Sequence, residues 1–122
     1  LCIIDNQDAV FGNIAYDLAS LIDDVRLKTS KSFKKNIFDE YLKLNKNINI
    51  VNFKNDFDIL SVLRNLKIIG IFTRLSVRDK KNHYLKLIPY AWKLIEQRIE
   101  NNKKFIELKN ILDMYFSKKV RN

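Results

Sequence analysis

Apolar residues recur along most of this chain at steps of three and four, the spacing of one helix face, and only the opening positions depart from that pattern. Leu1-Cys2-Ile3-Ile4 is an unbroken apolar run ending at Asp5, which predicts a short buried strand, and Gly12 and Asn13 then punctuate a loop. From Ala15 the pattern turns helical, with Leu18, Leu21, Ile22 and Val25 marking one face of a helix expected to end between residues 26 and 29. A second helix is expected over residues 32–45. Phe33, Ile37, Phe38, Tyr41, Leu42 and Leu44 should lie mostly inward, and Lys34, Lys35 and Lys43 in solvent. Residues 53–77 are apolar on so many sides (Phe57, Leu60, Leu63, Leu66, Ile68, Ile69, Ile71, Phe72, Leu75) that they predict a long central helix, with Gly70 permitting close packing. A turn at Asp79-Lys80-Lys81-Asn82 leads to a fourth helix with Pro89 in its first turn and Trp92, Leu94, Ile95 and Ile99 along it. A last helix over residues 103–116 spaces Phe105, Leu108, Ile111, Leu112 and Tyr115 on one face. The fold class is therefore mainly α, about five helices with a short N-terminal strand.

With 122 residues, 47% of them hydrophobic, the chain can build one core, and no internal repeat or Pro/Gly/Ser-rich linker marks a second domain. The apolar opening lacks the polar lead-in of a natural N-terminus and reads as a fragment whose first strand has lost its sheet partners. The single cysteine, Cys2, has no partner for an internal disulfide, so a reducing cytoplasm is the natural setting. No run approaches the roughly 18 apolar residues of a membrane span, and no signal peptide opens the chain. The net charge of +9 invites a basic binding module for nucleic acid or acidic partners. Against it, the 17 lysines are scattered from Lys28 to Lys119 among abundant Asn and Ile, which suits a composition bias better than a nucleic-acid site.

An aspartate at the end of a buried strand, followed by a short loop, can present its carboxylate to a metal-bound triphosphate. Magnesium prefers hard oxygen ligands and keeps several waters, so one or two carboxylates plus phosphates suffice. Asp5 and Asp8 have that placement, although acids three residues apart also serve as loop caps or solvated charges. A longer pattern is more telling. Ile3-Ile4-Asp5-Asn6-Gln7-Asp8-Ala9, then Gly12, then Tyr16-Asp17-Leu18-Ala19-Ser20-Leu21 resembles the metal-binding segment and following helix of the aminoglycoside phosphotransferase family. Ile69-Gly70-Ile71-Phe72-Thr73-Arg74-Leu75, with Arg78-Asp79, Tyr84-Leu85 and Ile88-Pro89, resembles the C-terminal helical region of one bacterial branch, the kinases that phosphorylate N-acetylmuramate and N-acetylglucosamine at the anomeric hydroxyl.

The resemblance implies that residues 1–122 are the C-terminal, acceptor-side helical part of a protein-kinase-like phosphotransferase that uses ATP and Mg2+ on a sugar acceptor. It implies that Asp5 bridges the metal to the β- and γ-phosphates, that Asp8 supports it, and that Asp17 accepts hydrogen bonds from the backbone of the catalytic loop. An acid in a first helical turn is also favourable in its own right. The glycine-rich loop, the strand Lys and the catalytic loop with its Asp base are absent from this sequence, so the base is expected upstream of Leu1 and the segment alone should be inactive. Two positions depart from the family pattern: Asn6 stands where an aromatic is usual, and Asn13 where a Pro usually follows the Gly. Arg74 and Arg78 end the long helix and are candidates for acceptor binding, or for a local ion pair. Tyr84, Tyr90 and Trp92 offer either a sugar-stacking surface or core, and His83, with no Cys or His nearby, is neither ligand nor base. A choline or aminoglycoside kinase of the same family is the alternative acceptor class.

Overall fold

A computed structural model describes residues 11–100 and 102–121, and among these there is no strand. The expected strand at residues 1–5 lies outside them. The described elements are α1 (Ala15–Ile22), α2 (Lys31–Leu44), α3 (Ile50–Asp79), α4 (Ile88–Glu100), α5 (Ile106–Tyr115) and α6 (Lys118–Arg121), with 3-10 turns at Asn82–Leu87 and Lys103–Phe105. Local chemistry sets their ends. The Ser30 hydroxyl accepts from the Phe33 amide at 3.2 Å and starts α2, and the Asn49 side chain accepts from the Asn52 amide at 3.0 Å and starts α3. At the far end of α3, Lys80 adopts the left-handed conformation (φ 57°) and terminates the helix where the turn was expected.

α3 is the spine, 30 residues and about 45 Å long. Its first half carries Phe53 and Phe57, which pack against Ala15, Leu18, Ala19 and Ile22 of α1 and against Ile37, Phe38, Tyr41 and Leu42 of α2. Its middle packs Val62 against Trp92, Ile95 and Ile99 of α4 and on to Phe105 and Leu112. Its last third packs Phe72 against Ala91, Leu94 and Val25. A helix with neighbours on several sides needs apolar residues on several sides, and α3 keeps one exposed side at Leu63, Lys67, Gly70, Arg74 and Val77.

Several side chains sit differently from expectation. α1 stops at Ile22 because Asp24 folds the chain back, its carboxylate accepting from the Arg26 amide at 2.8 Å and its carbonyl from the Leu27 amide at 3.2 Å. Val25 is buried as expected, but from the loop. Leu21 is 65% exposed, because α1 turns Ala15, Leu18, Ala19 and Ile22 inward. In α2, Phe33 and Leu44 are exposed while Lys34 is only 8% exposed, so the inward face is rotated from the one expected. Leu63, Ile111 and Tyr115 are exposed as well. Gly70 is exposed, with nothing within 4 Å of where a side chain would begin, so it permits no close packing here.

α6 has no counterpart in the expected elements. It is pinned by Arg121, whose guanidinium donates to Glu96 at 3.1 Å and Asp113 at 2.7 Å and lies over the Trp92 ring. Trp92 itself is core. Tyr84 stacks on Phe72 at 5.0 Å, and Tyr90 faces Lys28 and Lys34, so these aromatics pack within the fold and form no common stacking surface. None of the described helices is long and apolar enough to cross a membrane.

Candidate functional site

Asp58, Ser61 and Asn65 follow one another at helical steps along α3 and are all buried, a polar stripe on an otherwise apolar helix. Such a stripe requires partners, because a buried polar group without one is costly. Ser61 finds its partner in Asp23, wholly buried just past the end of α1, and Asn65 donates to the Ser61 carbonyl at 2.9 Å. The Asp23 carboxylate accepts from Ser61 Oγ at 2.6 Å, from Lys34 Nζ at 3.0 Å, and from Nε and a terminal nitrogen of Arg98 at 3.0 and 2.9 Å. Arg98 also reaches Asp58 at 3.6 Å and spreads over the Phe57 ring at 4.7 Å. Four elements (the loop after α1, then α2, α3 and α4) thus meet at one carboxylate.

Burial works against the charged form of Asp23. The Arg98 charge, the Ser61 hydrogen bond and Lys34 outweigh it and hold the carboxyl below its ordinary value. Asp58 goes the other way: burial raises it, and Arg98, Lys54 and a hydrogen bond from Asn102 only partly compensate.

In front of this network lies a groove of about 350 Å³, within the range of small-ligand pockets. Its apolar floor is Ile22, Phe38 and Phe57, and its charged wall is Lys31, Lys34, Lys35, Lys54 and Arg98 against Asp39 and Asp58. Reasoning from sequence placed Lys34 in solvent and passed over Asp23, Ser61 and Arg98. The polar stripe on α3 signals that a buried polar partner exists without naming it.

The residues singled out from the sequence are dispersed. Asp5 and Asp8 lie outside the described residues, and among those described no group of three or more His, Cys, Asp or Glu side chains can hold a metal. Asp17 sits in the first turn of α1 on its exposed side, between exposed Ile14 and Leu21. It is not the cap of that helix. Ile14 holds the cap position without a side-chain hydrogen bond, and just before it the Asn13 side chain accepts from the Ala15 amide at 2.9 Å and donates to Asp56 at 2.7 Å, tying the loop to α3. The departure from Pro at this position therefore carries its own structural role. Arg78 pairs with its neighbour Asp79 at 2.6 Å on the surface, and Arg74 is exposed. Arg74 lies 16 residues beyond Asp58, about 24 Å along the helix axis, so neither arginine lines the groove.

The chain is similar to proteins named N-acetylmuramate/N-acetylglucosamine kinase. The match is 35% identical over 89 residues in Caulobacter vibrioides, 33% over 93 residues in Neisseria meningitidis and 28% over 116 residues in Pseudomonas putida. These matches take in 73%, 71% and 90% of this chain but only 24%, 28% and 34% of the relatives, so the chain spans about a quarter to a third of their length. No family model matches the chain, and no solved structure does.

Proposed function

We propose that this chain is the C-terminal, acceptor-side part of an ATP-dependent small-molecule phosphotransferase of the aminoglycoside phosphotransferase family, an amino-sugar kinase acting on the anomeric hydroxyl. The observation that carries this reading is the similarity to kinases of that name across most of the chain. The helical structure with a central α3 accords with an acceptor-side lobe. Asp17 is exposed and makes no hydrogen bond among the described residues, so its carboxylate is available to a catalytic loop from another part of the protein.

In this reading Asp5 is the carboxylate that holds magnesium on the phosphates of ATP, and Asp8 supports it by accepting hydrogen bonds. Magnesium, when bound, neutralises charge on the transferring phosphoryl group. Asp17 positions the catalytic loop, and the base that takes the acceptor's proton comes from upstream of Leu1. The setting is the cytoplasm, where ATP is plentiful.

The expected outcome is that Asp5→Ala in the full-length protein lowers kcat by about 10²–10³-fold or more, because it removes an electrostatic stabiliser of the transition state. Sugar binding, measured by titration, should persist. A fully active Asp5→Ala enzyme would sink the proposal.

A further inference from the structure

The groove between α2, α3 and α4 carries more positive charge than its own acids satisfy. Lys35 pairs with Asp39, Lys34 with Asp23, and Arg98 with Asp23 and Asp58. Lys31 and Lys54 also line the groove, yet neither has a hydrogen bond or ion pair among the described residues. Lys54 feels Asp58 only at longer range, and that acid is already shared with Arg98. Two ammonium groups with no hydrogen bond or ion pair among the described residues therefore line a cavity with an apolar floor of Ile22, Phe38 and Phe57.

Such a cavity does not suit a cation. An oxyanion would find charge-assisted donors in Lys31 and Lys54, while the floor packs against the apolar face of the molecule bearing it. The buried pairing of Lys34 and Arg98 with Asp23 holds the wall behind the two lysines in place. Of the sugars named for the relatives, N-acetylmuramate carries a carboxylate on its lactyl ether and N-acetylglucosamine carries none.

We propose that the groove is an oxyanion subsite in which Lys31 and Lys54 hold the carboxylate of an acidic amino sugar and so set preference for it over the neutral one. The identity of the sugar rests on the kinase reading above, whereas the charge of the ligand rests on the groove alone.

The test uses the full-length protein without ATP, titrated with N-acetylmuramate, N-acetylglucosamine and inorganic phosphate, for the wild type, a Lys31→Ala/Lys54→Ala double variant and Lys54→Arg. Both lysines are exposed and have no hydrogen bond or ion pair among the described residues, so the substitutions spare the fold. The preference for N-acetylmuramate over N-acetylglucosamine should fall about tenfold or more in the double variant and be retained in Lys54→Arg. Lysine-dependent binding of phosphate with no such change in sugar preference would keep the oxyanion site and assign it to free phosphate. Lysine-independent binding of all three ligands, or no binding of either anion, overturns the proposal. A separate assay with ATP reads the kinase activity, so its failure is distinguishable from failure of the groove.

Discussion

Asp23 is the residue on which the interior turns. Its carboxylate has two cations and a hydroxyl around it and is sealed from solvent, so neutralising it leaves Lys34 without its anion and Arg98 with only Asp58, 3.6 Å away. Asp23→Asn is expected to destabilise the fold by about 3–5 kcal/mol, the usual consequence of removing one partner from a buried ion pair, as measured by chemical denaturation. The pH dependence has a definite sign. The folded-state pKa of Asp23 is lowered from 3.8, so its contribution is fully present above that value and is lost as the pH falls through the lower folded value. The wild type should therefore lose stability more steeply than the variant below about pH 4. No local spacing discloses this site: Lys34, Ser61 and Arg98 lie 11, 38 and 75 residues from Asp23.

At the scale of elements, the positions of the two longest helices were legible to within a few residues because periodicity and capping are local properties. Residues 32–45 and 53–77, expected to be helical, appear as Lys31–Leu44 and Ile50–Asp79. What could not be read was rotation about the helix axis where apolar residues occupy more than one face. Phe33 beside Lys34 is such a case, since the aromatic faces solvent and the lysine stem runs inward to Asp23. Gly70 is another, expected at a tight crossing and found in an open helix interior. Gly70→Ala should accordingly stabilise the chain by about 1 kcal/mol through helix propensity alone, with the shift in denaturation midpoint as the readout.

Over the whole molecule, α1 shows how burial is apportioned. Leu18 is sealed against Phe53 and Phe57, whereas Leu21 and Ile14 flank Asp17 on the open side. Leu18→Ala is expected to cost about 2–5 kcal/mol and Leu21→Ala within about 0.5 kcal/mol in thermal or chemical unfolding of this chain. A large effect at Leu21 would mean that the open side of α1 is covered. The relatives are three to four times as long as the matched stretch, chain enough to cover such a side.

The sequence by itself determined the helical class, the central place of α3 and the likeness of residues 3–21 to a phosphotransferase segment, because each is carried by residues close together in the chain. Tertiary structure alone decided which way each helix faces, and with it the Asp23 network and the basic groove. Those depend on charges that are neighbours only after four elements have packed, and a pattern with a range of a few residues does not contain them. Asp5, Asp8 and Asp17 came from sequence, and Lys31, Lys54 and Arg98 from packing.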